Sequence, residues 1–161
     1  MIHDDIEAFA TALPRAHGIA GLDFGTKTIG VAVSDALRSV ATPLVTIKRT
    51  KFTKDAAELI DIITKRDLSG VILGLPRNMD GSEGPRAQST RAFARNLAGL
   101  PDFRSIAIGF WDERLSTVAA ERALLEADTT RKRRAEVIDA VAAGYILQGA
   151  LDRLRHIEAS G

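Results

Sequence analysis

The sequence predicts one α/β domain built on a mixed β-sheet flanked by helices. Three strand-like apolar stretches follow one another within residues 19–47, and the two later ones, residues 71–75 and 106–111, alternate with helical patterns. This order predicts antiparallel neighbours first and parallel crossovers later, which is a mixed sheet rather than a purely doubly wound one. A chain of 161 residues is long enough for one such domain with its own core.

The strand predictions rest on apolar runs bounded by turn formers. Pro43 lies within the third run, which favours an edge position because proline cannot donate to a central ladder. The five predicted strands are two within residues 19–35, joined by the turn Gly25-Thr26-Lys27-Thr28, and one each at residues 40–47, 71–75 and 106–111.

The helix predictions rest on apolar side chains at spacings of three and four residues. Pro14 ends the first helix, and Thr53 is the expected N-cap of the second. The predicted helices are residues 4–14, 53–66 and 86–98, a helix capped by Ser116 or Thr117, and residues 135–156. We therefore expect an N-terminal extension with a short helix (residues 1–18), a main domain (19–157) and a tail (158–161).

Composition excludes several classes of site and partner. The chain has no cysteine, so disulfides, thiolate zinc sites and cysteine nucleophiles are excluded, and a reducing cytoplasm is expected. We find neither the pattern of a secretory signal nor an apolar run of membrane-spanning length. A net charge of +1 means that a polyanion must be held by local patches. Those patches are Lys48, Arg49, Lys51 and Lys54, and the run Arg131, Lys132, Arg133 and Arg134.

Asp23 is the residue that most clearly indicates a function. It lies between Leu22 and Phe24 in the first predicted strand, where aspartate is depleted and a buried charge is costly. A compensating partner is therefore expected. A bound cation is the simplest one, and hydrogen bonds from amides of the adjoining turn are the alternative.

Two further carboxylates are candidates for the same site. Glu113 follows the fifth predicted strand, and Asp139 lies on the last predicted helix with no cation at helical spacing to pair it. Hydrolysis of a phosphodiester with divalent metals requires two or three oxygen ligands that converge. Asp23, Glu113 and Asp139 meet this requirement if the first strand is central and the last helix packs beside it. Mg²⁺ or Mn²⁺ would then be the cofactor.

Structural roles are the alternatives for the second and third carboxylates. Asp139 can be an exposed surface residue, and Asp112, Glu113 and Arg114 can form a solvated loop or a local ion pair. Strand alternation places Asp112 and Glu113 on opposite faces, so at most one of them points into the site. We choose Glu113, although the sequence alone does not decide between them.

Several polar and basic residues are candidate contacts to a phosphate backbone. Residues 77–85 are rich in turn formers at the carboxyl end of a strand, where open α/β sheets bind ligands. The basic run before Asp139 is predicted to form a mobile loop that holds a nucleic acid near the metal. Turn chemistry, ion pairing and solvation are the alternatives. The candidates are Lys27, Asn78, Arg114, Arg131, Lys132, Arg133 and Arg134.

Four blocks of the sequence together resemble the YqgF (RuvX) family. Its members are described as nucleases for the precursor of 16S ribosomal RNA and as Holliday-junction-resolvase-like proteins. The blocks occur in family order and cover most of residues 19–150, and the segment before His17 lies outside the shared pattern. The matching blocks are residues 21–27, 74–81, 112–117 and 138–143.

The resemblance implies a ribonuclease-H-like fold with a five-stranded mixed sheet flanked by helices. It also implies a divalent-metal nuclease site at Asp23, Glu113 and Asp139, in a cytoplasmic bacterial protein that processes the 5′ end of pre-16S ribosomal RNA. Structured RNA is the favoured partner and a branched DNA such as a Holliday junction is the alternative. No membrane partner is expected, and a monomer or a homodimer fits equally well.

Two other functions remain alternatives. A noncatalytic nucleic-acid-binding factor would keep the same fold, but an aromatic content of 5% gives little for single strands to stack on. Residues 23–28 also resemble the first phosphate loop of the actin, sugar-kinase and heat-shock ATPase superfamily. Those phosphotransferases close a nucleotide between two duplicated lobes, and a chain of 161 residues offers only one.

Overall fold

The computed structural model describes residues 1–115 and 131–160, and in the second range it describes side chains over residues 138–159. The strands are β1 (Ile2–His3), β2 (Gly18–Phe24), β3 (Thr28–Ser34), β4 (Ala41–Lys48), β5 (Leu68–Leu75) and β6 (Ala107–Asp112). The α-helices in these ranges are α1 (Ile6–Ala12), α2 (Phe52–Arg66), α3 (Pro85–Ala98) and α4 (Arg131–Ser160), and short 3-10 turns span Pro101–Phe103 and Glu113–Leu115.

The described strands form one mixed sheet in the order β1-β6-β5-β2-β3-β4. The pairs β1–β6, β6–β5 and β5–β2 are parallel, and β2–β3 and β3–β4 are antiparallel. The predicted fold class is therefore confirmed, with β2 in the interior of the sheet and Pro43 on the edge strand β4. The predicted number of five strands is wrong, because β1 adds a sixth. A two-residue strand has no periodic pattern by which a sequence could reveal it.

Two layers of helices cover the sheet. Side chains of α2 and α3 share a core with Leu22, whereas side chains of α1 and α4 share a second core with Ile19. Because side chains alternate along a strand, Asp23 falls on the α4 face. The condition set by the sequence is therefore met: the strand of Asp23 is central and the last helix packs beside it.

Residues 1–18, which the sequence separates from the main domain, pack onto the sheet. Ile2 and His3 pair with Ile108 and Gly109 of β6. Phe9 of α1 is fully buried in the core under α4. The boundary at residue 18 stays a prediction, but this segment contributes both a strand and a core side chain.

Two helix starts differ from the sequence predictions. Lys51, not Thr53, is the N-cap of α2. The backbone of α4 is helical from Arg131 onward, so the prediction of a loop over the basic run is wrong. Arginine and lysine are good helix formers, so charge alone does not delay a helix.

The side chains of Arg131, Lys132, Arg133 and Arg134 lie outside the described residues, as does the helix predicted after Ser116 or Thr117. None of the described helices has the length and apolar character needed to span a bilayer.

Candidate active site

Asp23 is held near the carboxyl end of β2 with only 4% of its surface exposed. Arg86, in the first turn of α3, brings its Nη2 to 4.0 Å from Asp23 Oδ1. The partner that the sequence leads us to expect beside the buried Asp23 charge is therefore supplied in part by the guanidinium of Arg86. At this distance the contact is an ion pair and not a direct hydrogen bond.

Asp139 is brought to the same place by the packing of α4 on β3. Gly30 of β3 is the register partner of Asp23 on β2. A Cβ atom built on Gly30 would lie 1.8 Å from the carbonyl oxygen of Asp139, so the α4 backbone rests directly on this glycine. The Thr28 hydroxyl donates a hydrogen bond to Asp139 Oδ2. Asp23 and Asp139 are therefore both neighbours of Gly30.

Glu113 approaches the same face from the end of β6. Gly74 on β5 is one residue beyond the Leu22–Leu73 pair, just as Asp23 is on β2. A Cβ built on Gly74 would lie 2.8 Å from Glu113 Oε1 and 2.5 Å from Ile146 Cδ1 of α4. Glu113 thus lies over β5 on the α4 face, and its Oε1 atom is buried.

Asp112 is directed into ion pairs instead. Its Oδ2 accepts a hydrogen bond from Arg114 Nη2 at 2.7 Å and lies 3.9 Å from Arg77 Nη1. The hydrogen bonds from Arg114 hold the pKa of Asp112 below its usual value and raise the pKa of Arg114. The structure therefore separates the two neighbouring acids, and Glu113 is the one that faces the α4 side.

The three carboxylates suit a hard divalent cation in the kind of donor atom that they offer. All of their donors are oxygen atoms, which Mg²⁺ and Mn²⁺ prefer. Gly30 and Gly74, which have no side chain, let the α4 backbone at Asp139 and the Glu113 side chain approach the sheet closely. Among the described residues no three acidic or histidine side chains are already close enough to hold one ion together. The oxygen donors are therefore of the kind that binds such an ion, and the three side chains are not arranged as a closed coordination site.

The candidate backbone contacts are spread around this edge. Lys27 is exposed in the β2–β3 turn. Asn78 is exposed in the loop after β5, and its Nδ2 donates to Ser82 Oγ at 2.9 Å, so part of its side chain stabilises the turn. Arg114 is paired with Asp112.

Thr28 and Arg86 contact the candidate carboxylates although the sequence did not identify them as site residues. Both contacts join residues far apart in the chain, across the packing of α4 on β3 and of α3 against the end of β2. Thr28 reads in sequence as a turn residue, and Arg86 reads as part of an ordinary helix start. No local pattern signals either contact.

Comparisons with known proteins agree with this architecture. The family model RuvX, described as "Holliday junction resolvase", matches residues 17–153. A protein of a Ruegeria species named "Putative pre-16S rRNA nuclease" is 71% identical over 99% of this chain and 100% of its own length. A relative of the same name from Cereibacter sphaeroides is 74% identical over 96% of this chain and 94% of its own length.

Solved structures with similar folds include two Holliday junction resolvases. "T. thermophilus RuvC in complex with Holliday junction substrate" has a TM-score of 0.54 at 12% identity, over 86% of this chain and 96% of that one. The yeast mitochondrial resolvase Ydc2 has a TM-score of 0.50 at 9% identity, over 94% of this chain and 86% of that one. These likenesses confirm the ribonuclease-H-like fold. The match over residues 17–153, with relatives at 71% and 74% identity, shows that this chain belongs to the RuvX family.

Proposed function

We propose that this protein is a divalent-metal-dependent endonuclease that processes the 5′ end of pre-16S ribosomal RNA in the cytoplasm. The observation that carries the proposal is that Asp23 and Asp139 are both neighbours of Gly30, with Glu113 on the same face over Gly74. The name of the relatives at 71% and 74% identity supports the choice of RNA as substrate.

Asp23, Glu113 and Asp139 would hold Mg²⁺ or Mn²⁺. The ion would activate a water molecule and stabilise the charge that develops on the phosphate. The hydrogen bond from the Thr28 hydroxyl orients the Asp139 carboxylate. Arg86 reduces the cost of burying the Asp23 charge and places a second cation beside the position of the substrate.

Local charge on this edge supports binding of a polyanion. The net charge of +1 gives no general attraction, so contacts must come from particular side chains. Among the described residues, the candidate contacts are Lys27, Asn78 and Arg114. We assign the same role to the basic run at the start of α4, Arg131, Lys132, Arg133 and Arg134.

The substitution Asp23→Asn tests the proposal. Purified protein is incubated with Mg²⁺ or Mn²⁺ and an RNA that carries the 5′ junction of pre-16S RNA. We expect the variant to cut about 100-fold more slowly or worse, because it removes a charged metal ligand. Asp102→Asn, in an exposed 3-10 turn, is the matched control and should cut like the wild type.

Thermal unfolding gives a second readout that does not depend on cutting. At about 100 times its Kd, the metal should raise the melting temperature of the wild type by about 5–10 °C. Asp23→Asn should lose this shift while keeping its circular dichroism spectrum. Equal cutting or an equal metal-dependent shift in the variant would refute the assignment of Asp23.

Resolution of branched DNA is the second candidate function, and the description of the matching family model favours it. The same assay with a four-way DNA junction in place of RNA distinguishes the two. If the protein cuts the DNA junction but not the RNA, the RNA proposal is wrong and resolution of branched DNA takes its place. Binding of RNA without cutting of either substrate would support a noncatalytic factor.

A further inference from the structure

A groove lined by two arginines lies between the β2–β3 turn and the first turn of α3. Its cavity volume is about 130 Å³, and its lining includes Phe24, Thr26, Arg49, Arg86 and Ser89. The lining contains two guanidinium groups and two hydroxyl groups but no carboxylate. Two cations around one groove repel each other until an anion lies between them, so the groove is suited to an anionic ligand.

Arg49 is fixed in place by the turn that it faces. Its Nη1 donates to the carbonyl oxygens of Gly25 at 2.7 Å and Thr26 at 3.1 Å. Its guanidinium carbon lies 4.2 Å from the centre of the Phe24 ring. Within the described part of the chain, no hydrogen bond occupies Nε or Nη2. A guanidinium held in this way keeps donors in the fork geometry that suits phosphate oxygens.

Arg86 connects the groove with the carboxylate site. Its side chain is 48% exposed, and its Nη2 lies 4.0 Å from Asp23 Oδ1. Because this contact is longer than a hydrogen bond, the guanidinium retains donors for a ligand. The same residue lines the groove, so Arg86 would contact both Asp23 and an anion bound in the groove.

The groove suits a phosphate better than a nucleobase. Phe24 is 7% exposed, and the Arg49 guanidinium covers its ring, so the groove presents no free aromatic face on which a base could stack.

We propose that this groove binds a backbone phosphate of the RNA, adjacent to the phosphate that is cut. Arg49 and Arg86 are the charged ligands, and Ser89 and Thr26 donate from their hydroxyl groups. The choice of RNA rests on the proposed function, but the phosphate subsite can be tested without any cutting.

The test measures binding of a fluorescein-labelled single-stranded RNA by anisotropy in EDTA, over a series of salt concentrations. Arg86→Gln should bind about tenfold more weakly at low salt, as expected for loss of a charged hydrogen bond. The slope of log K against log salt should become shallower by about 0.7, which corresponds to one phosphate contact on a single strand. Arg86→Lys should retain most of the slope.

Arg95→Gln is the matched control, because Arg95 is exposed in the last turn of the same helix and carries the same charge. It should leave both affinity and slope unchanged. An unchanged slope in Arg86→Gln, or an equal loss in Arg95→Gln, would overturn the proposal. If Arg86→Gln does not fold, Ser89→Ala on the exposed face of α3 takes its place, and an affinity equal to the wild type would count against the subsite.

The outcomes separate this inference from the proposed function. If the wild type cuts RNA and Arg86→Gln keeps the full salt slope, the groove proposal fails and the nuclease proposal stands. If the wild type cuts nothing but Arg86→Gln loses slope, the phosphate subsite stands and the nuclease proposal fails.

Discussion

Two glycines determine how closely the candidate carboxylates approach one another. Gly30 admits the backbone of α4 at Asp139, and Gly74 admits the Glu113 side chain and Ile146. Neither glycine is among the residues with a positive φ, so what matters at these positions is the absence of a side chain. Close approach of a helix to a sheet therefore builds the site.

Gly30→Ala should disrupt both the fold and the site. The new Cβ would lie 1.8 Å from the Asp139 carbonyl oxygen, and because that atom is backbone, α4 as a whole must move. We expect the free energy of unfolding to fall by about 3 kcal/mol, at the upper end of overpacking costs, and the metal-dependent thermal shift to disappear. Urea unfolding and melting curves measure the two effects.

Gly99→Ala is the control for that substitution. Gly99 follows α3 with a φ of −76°, and a Cβ there would make ordinary contacts at 3.6 and 3.7 Å. Its unfolding free energy should stay within about 0.5 kcal/mol of the wild type. A Gly30→Ala protein as stable as this control would show that α4 does not rest on Gly30.

Asp23 and Asp139 stand out in the sequence as candidates because each of them conflicts with its surroundings. Asp23 interrupts an apolar strand, and Asp139 adjoins an apolar helix face without a helical partner. The choice between Asp112 and Glu113 needed coordinates, since alternation says only that the two differ. Arg86 was not predictable, because its contact with Asp23 depends on where α3 begins relative to β2.

The first helix contributes one fully buried aromatic side chain to the core between the sheet and α4. Phe9 of α1 lies against Gly70 and Gly109, where built Cβ atoms would come within 3.0 Å and 2.8 Å of its ring. Both glycines thus provide the space into which the ring packs. The N-terminal segment is therefore held on the sheet by the packing of Phe9 against β5 and β6 as well as by the pairing of β1 with β6.

Phe9→Ala should be strongly destabilising. The ring is fully buried, so its removal leaves a cavity and should lower the free energy of unfolding by about 3–5 kcal/mol in urea. Leu37→Ala, at a side chain 82% exposed, should change it by less than about 0.5 kcal/mol. Equal stability of the two variants would mean that residues 1–18 are an extension that the rest of the domain does not need.

Long, regular elements were predictable, and short or charged ones were not. The apolar runs that form β2 and β5 predicted strands. The amphipathic pattern of α2 predicted a helix. By contrast, β1 has two residues, and its position depends on a partner strand far along the chain. The start of α4 was misplaced because a basic run was interpreted as solvated loop, although its residues have high helix propensity.

A chain of ion pairs ties the first residues of the chain to the loop after β5 and to α3. Arg91 of α3 donates from Nε to Glu83 Oε1 and from Nη1 to Asp4 Oδ1, both at 2.6 Å. Arg77 Nε lies 3.4 Å from Glu83 Oε2. These contacts hold the loop after β5 against α3 and the first residues of the chain. Glu83 takes part in two of these three contacts, those with Arg91 and Arg77, so its protonation should weaken both.

Acid should therefore lower the free energy of unfolding by the amount that the charged form of Glu83 contributes. Hydrogen bonds from Arg91 lower the pKa of Glu83 below its ordinary value of 4.5. A lowered folded-state pKa adds stability that is complete above 4.5 and is lost as the pH falls through the lowered value.

Glu83→Gln should thus be about 1 kcal/mol less stable than the wild type at neutral pH and nearly equal to it near pH 2, by urea unfolding. Asp61→Asn, which breaks an exposed pair with Lys65, should cost less than about 0.5 kcal/mol. A Glu83→Gln deficit that does not shrink in acid would mean that the pair with Arg91 does not stabilise the fold.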